Sequence, residues 1–127
     1  MVFTINNKTN KDFNFKVKAS NHLTKSKKKL EFIDIPGRTG QLIIDEGARE
    51  NFNLLIEGFI DARISNLKTV CDNLDIWLNG TKGYQTMTFD DGTVLKVVFI
   101  GQINPVDIKK NFGELTLEFS AYSEVIE

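Results

Sequence analysis

A mainly antiparallel β fold with one helix packed on it, an α+β sandwich or partly rolled barrel, follows from three features of this chain. Apolar and polar residues alternate in several separate stretches, the period-two pattern of half-buried antiparallel strands. Only one stretch carries apolar residues at helical spacing, the mark of a single amphipathic helix. Tight-turn signals, Pro36-Gly37 and Asp91-Gly92 among them, punctuate the rest. These features predict about seven short strands and one helix in a single domain. The 127 residues suffice for a hydrophobic core without disulfides or metal.

Taken in order, Phe13, Phe15 and Val17 alternate with Asn14, Lys16 and Lys18, which reads as a strand with one wet face. Residues 20–29, polar and lysine-rich, read as an exposed loop that contains His22. The run from Leu30 through Phe32 and Ile33 to Ile35 is apolar on both faces. After it comes a stiff corner, Ile35-Pro36-Gly37-Arg38-Thr39-Gly40. Proline sets φ and pushes Ile35 toward extended backbone, and the glycines permit angles closed to other residues, so Arg38 is presented at the tip of a shaped turn. Phe52, Leu54, Ile56 and Ile60 share a face, with Gly58 between them and Asn53 and Glu57 opposite.

The helix is expected over about residues 63–79. Leu67, Val70, Cys71, Leu74, Trp77 and Leu78 form one stripe, Asp61 or Ser65 caps the start, and Asn79-Gly80 supplies a left-handed stop. Residues 84–89 and 93–103 flank Asp90-Asp91-Gly92 as a hairpin. Within it Val94 to Ile100 is apolar on both faces, like the run after Lys29. Such runs are either central strands covered on both sides or strands with one face against another subunit. Leu115, Leu117, Phe119 and Ala121 alternate with polar residues and close the fold.

Composition narrows function. Sixteen basic and seventeen acidic residues leave a net charge of -1, which argues against general polyanion binding. One cysteine, Cys71, forms no internal bridge and falls inside the helix stripe as a small core residue. The N-terminus lacks a basic flank and apolar core of the secretory kind, and no apolar run approaches a membrane span, so cytoplasmic folding is expected. His22 is the only histidine. That excludes a zinc site built on several imidazoles, and no partner lies near for a cysteine–histidine pair. Asp90-Asp91 reads as a turn and not a calcium loop. The corner at Pro36 lacks the glycine spacing and lysine of a phosphate-binding loop. No catalytic, cofactor-binding or metal-binding set emerges.

The segment Lys25-Ser26-Lys27-Lys28-Lys29 reads either as a solvated loop or as contact with an acidic neighbour; it has no interleaved aromatics for nucleic acid. Arg38 reads either as an exposed turn residue or as an interface anchor able to pair bidentately with carboxylates.

Four pieces in order make the chain resemble a known family. They are the corner 35–40; the strand Phe52-Asn53-Leu54-Leu55-Ile56-Glu57-Gly58-Phe59-Ile60; the helix end Ile76-Trp77-Leu78 followed by Gly83-Tyr84; and the closing Gly113-Glu114-Leu115-Thr116-Leu117-Glu118-Phe119. Met87-Thr88-Phe89-Asp90-Asp91-Gly92 fits the family's hairpin between the last two. The resemblance is to the N-terminal domain of the distal tail protein of long non-contractile-tailed bacteriophages, found also in prophages. It implies a tail-tube-protein-like fold and a hexameric ring at the virion tail tip, assembled in the bacterial host cytoplasm. Such a ring joins the tail tube protein to the baseplate hub or spike around a channel through which DNA passes as cargo. It implies no enzyme activity, cofactor or membrane partner. Longer relatives continue into a galectin-like domain, which has no counterpart in residues 1–127, so one domain is expected.

The interface candidates are Arg38, Lys27, Lys28 and Lys29, with Val98 and Ile100 from the second two-faced run. The alternative function is a small β-sandwich module binding carbohydrate or another surface ligand. With Trp77 in the helix stripe, only Tyr84 and Tyr122 remain among the tryptophan and tyrosines for sugar stacking.

Overall fold

A computed structural model describes residues 1–62, 66–109 and 112–123. In chain order the strands are β1 (Phe3–Ile5), β2 (Lys8–Thr9), β3 (Phe15–Ser20), β4 (Lys28–Asp34), β5 (Gln41–Arg49), β6 (Phe52–Asp61), β7 (Gln85–Phe89), β8 (Val94–Phe99), β9 (Val106–Lys109) and β10 (Phe112–Tyr122). A 3-10 turn spans Asn10–Phe13, and the helix α1 spans Leu67–Asn79.

The clearest alternation in the sequence yields the spine. β6 and β10 pair antiparallel over their length, from Phe112 against Asp61 to Ala121 against Phe52. Leu54, Ile56 and Ile60 on one strand, with Leu115, Leu117, Phe119 and Ala121 on the other, point inward and are buried. Among the described residues eight strands belong to this sheet. Seven run in the order β2-β1-β7-β8-β10-β6-β3, and β9 pairs separately with β10. The sheet rolls so that its two ends meet across the 3-10 turn. Fully buried Asn10 ties them: its Oδ1 accepts from the Phe3 amide at 3.1 Å, and its Nδ2 donates to the Phe15 carbonyl at 2.8 Å. One side chain thus satisfies backbone groups of β1 and β3 that no strand pairs.

α1 covers the inner face with Val70, Leu74, Trp77 and Leu78. Trp77 stacks on Phe3 and Phe13, with ring centroids 5.7 and 4.4 Å away. Its indole N–H donates to the Ile5 carbonyl at 2.9 Å, so burial leaves no donor unpaired. Gly58 is required by close approach: any side chain there would collide with the Lys16 carbonyl and the Phe15 ring on β3.

The expected fold class holds, and several details are corrected. Phe13 belongs to the 3-10 turn and not to a strand, because Asn14 takes a left-handed conformation that ends the turn before β3 begins. The cap of α1 is Asn66, whose side chain accepts from the Lys68 amide at 2.8 Å. Asp61 instead ends β6, while Ser65 and the expected helix start at 63–65 lie outside the described residues. Gly80 is right-handed, not a left-handed stop. It is glycine because a Cβ would meet the Ile76 carbonyl, and the left-handed glycine falls later, at Gly83. The Asp90-Asp91-Gly92 hairpin forms between β7 and β8 as expected. Cys71 is half-buried against the core, where partial desolvation raises its thiol pKa, with a smaller push from Asp72. The two-faced run at 94–100 is β8, a central strand between β7 and β10. The one at 30–35 has a different fate.

Candidate interaction surface

β4 and β5 form a two-stranded sheet of their own, hydrogen-bonded to no other strand among the described residues. Leu30, Phe32 and Ile33 favour extended backbone through bulk and branching, and the Pro36 corner turns the chain. The Arg38 amide donates to the Ile35 carbonyl at 3.2 Å, and Gly37 and Gly40 take positive φ. The register places Phe32 opposite Ile43 and Leu30 opposite Asp45 on one face, and Ile33 opposite Leu42 and Glu31 opposite Ile44 on the other. Every residue of the two strands is exposed except half-buried Ile44. Phe32 is 53% exposed and Ile43 55%, a pair of large apolar side chains standing in water.

An isolated two-stranded hairpin is marginally stable in water, and apolar patches on both faces signal a partner surface. We call this element the arm. Near its base a bulge between Lys28 and Leu30, with Gly47 at positive φ, bends β5. There Lys28 and Asp45 form an exposed pair at 3.8 Å.

Both roots of the arm are tied to the body by side chains. On the incoming side, Asn21 extends the β6 ladder: its Oδ1 accepts from the Leu55 amide at 2.7 Å, and its Nδ2 donates to the Asn53 carbonyl at 3.0 Å. The next residue, His22, was expected in an exposed loop but is only 5% exposed. Its ring stacks on Phe89 at 4.3 Å, Nε2 lies 2.8 Å from Asp91 Oδ2, and Nδ1 lies 3.1 Å from Ser20 Oγ. The Thr93 amide and, secondarily, the hydrogen bond from His22 pull the Asp91 carboxyl from its ordinary 3.8 to about 2. An ionised carboxylate only accepts, so Nε2 carries the proton. On the outgoing side, Asn51 Nδ2 donates to the Tyr84 hydroxyl at 2.7 Å and to Ser120 Oγ at 3.0 Å. Between the roots the Glu50 amide donates to the Lys27 carbonyl at 2.7 Å.

The six interface candidates divide between two places. Arg38 is exposed at the arm's tip, and Lys27, Lys28 and Lys29 are exposed at its base. Val98, half-buried, lies in the body opposite Ser120 on β10, and exposed Ile100 follows β8. Sequence reasoning missed His22, Asn51, Ser120 and the arm's separation from the body. Tyr84 and Tyr122, the sugar-stacking candidates, meet edge to face at 5.0 Å, and Tyr84 also receives Asn51.

An open groove of about 690 Å³ between the 3-10 turn and α1 includes Asp12, Phe13, Asn73 and Ile76 in its lining. Among the described residues no group of three or more potential metal ligands converges, and no helix is long and apolar enough to cross a membrane.

No protein-family model matches the chain, and no curated protein sequence matches it. Its structure is similar to the crystal structure of SPP1 Dit (gp 19.1), described as a paradigm of the hub adsorption apparatus in phages infecting Gram-positive bacteria. The TM-score is 0.73 at 15% sequence identity, over 96% of this chain and 51% of that one. The likeness is one of fold, and the chain spans about half the length of that protein.

Proposed function

We propose that this chain is a structural component of a phage or prophage tail tip, forming a ring that joins the tail tube to the hub or spike around the DNA channel. It works by assembly and not by catalysis, and a hexamer is the expected ring. The fold likeness to SPP1 Dit supports this reading, and the observation that carries it is the arm, apolar on both faces and uncovered in the single chain.

The occupant proposed for the arm is a second copy of this chain. Its base carries four cations, Lys27, Lys28, Lys29 and Arg49, against three carboxylates, Asp45, Glu46 and Glu50. The outward face of the sheet carries Glu57, Glu114 and Glu118 around exposed Leu55, with Glu118 directly opposite Leu55. One copy therefore offers opposite charge and apolar surface to the arm of the next. An arm reaching from one copy to a different surface on the next is a heterologous contact, which closes into a ring when the rotation permits. Arg38 at the tip anchors the contact by pairing with carboxylates. Replacing Arg38 by Ala is expected to leave the circular dichroism spectrum and melting temperature unchanged while weakening assembly. Unaltered oligomer mass and tail attachment in that variant would count against the proposal.

A further inference from the structure

We infer that the arm is aimed in advance, clamped at one root by His22 on Asp91 and Phe89 and at the other by Asn51 on Tyr84 and Ser120, so that it meets a second copy already oriented. This inference rests on the reading that the arm engages a neighbouring copy.

A two-stranded hairpin joined to a body by two flexible strands would swing, and its orientational freedom would be lost on docking. Here each root is held by contacts from elements distant in sequence. His22, which follows β3, reaches the β7–β8 turn: its ring lies on Phe89 and its Nε2 sits 2.8 Å from Asp91. Asn51, which precedes β6, reaches the loop after α1 through Tyr84 and reaches β10 through Ser120. One clamp lies on the segment that leads into β4 and the other just after β5, so together they oppose both tilt and twist. Asn51 and Tyr84 are exposed and lie outside the apolar core, so core packing does not account for their contact. Tyr84 in turn rests edge-on against Tyr122, which limits where its hydroxyl can go. Asn21 adds the third point by stapling the chain just before His22 to β6.

The test is a distance distribution between spin labels on the arm and the body. Thr39→Cys at the tip and Asn73→Cys on α1 are labelled in a Cys71→Ser background, with and without Asn51→Ala and Asp91→Asn. Both clamp substitutions fall on exposed residues, and Tyr84→Phe is the conservative second variant at the outgoing root. A single narrow distribution in the parent, broadened in the clamp variants while their circular dichroism spectra remain those of the folded parent, is expected. Assembly of the variants should be weaker by about tenfold, the ordering loss of one or two extra immobilised side chains. A parent distribution already broad, or one whose width the variants leave unchanged, overturns the clamp. Narrow and broadened distributions without self-association at any concentration would keep the clamp and overturn the second-copy reading. Broadened distributions with undiminished assembly would overturn the claim that aiming serves docking.

Discussion

His22 is half of an arrangement in which every polar atom has a task. Its Nε2 proton goes to Asp91, its Nδ1 faces the Ser20 hydroxyl, and its face lies on Phe89. Asp91 receives the Thr93 amide on its other oxygen at 3.0 Å, so one carboxylate both shapes the hairpin turn and holds the arm's root. The direction of its pH effect follows from linkage. A carboxyl depressed in the folded state stabilises that state above its unfolded value and loses this contribution as pH falls through the folded value. For Asp91 the window runs from 3.8 down to about 2. Asp91→Asn is therefore expected to flatten the acid limb of the stability curve across that window, read by denaturant unfolding at stepped pH. A limb identical to that of the parent would show that Asp91 titrates without consequence for the fold. None of this was legible beforehand. The neighbours of His22 in sequence are polar and mark a loop, whereas its platform and its acid come from β7 and the turn beyond.

Elements with one wet face were the legible ones. β6 and β10 alternate as expected because a half-buried strand writes its two environments into successive residues. The stripe of α1 was equally plain, with Val70, Leu74, Trp77 and Leu78 buried as expected. Short elements escaped notice: β1 and β2 offer too few residues to establish a period, and the 3-10 turn took Phe13 out of the expected strand. The two runs apolar on both faces look alike in sequence, yet β8 is central in the sheet while β4 stands free with β5. Only pairing partners separate these cases, and partners are not encoded in local pattern. Because the arm is uncovered, its apolar residues add little to the stability of a single chain. Replacing Phe32 and Ile43 together by Thr should shift the unfolding free energy of the monomer by no more than about 0.5 kcal/mol, the range of ordinary surface substitutions. The same change in a fully buried pair such as Leu54 and Phe119 would remove several times that amount. A large loss of monomer stability in the arm variant would mean that the arm packs on its own body.

At the scale of the molecule, two designs are joined: a rolled sheet closed by Asn10 and filled by one helix, and an arm that leaves its apolar side chains in solvent. The first is self-sufficient, since among the described residues nineteen apolar ones are buried within it. The second is not, because two strands without a third or a covering layer do not hold a fold in water. Exposed edge and apolar surface in one element would also invite disordered association unless a defined partner takes it up. A closed ring of like copies, as proposed above, meets that need. The mass of the purified chain in solution, measured by light scattering over a concentration series, tests this most directly. The expected result is a plateau near six times the 14.4 kDa of one chain, without growth into open polymers. A mass that stays at that of one chain up to the highest concentration would contradict it.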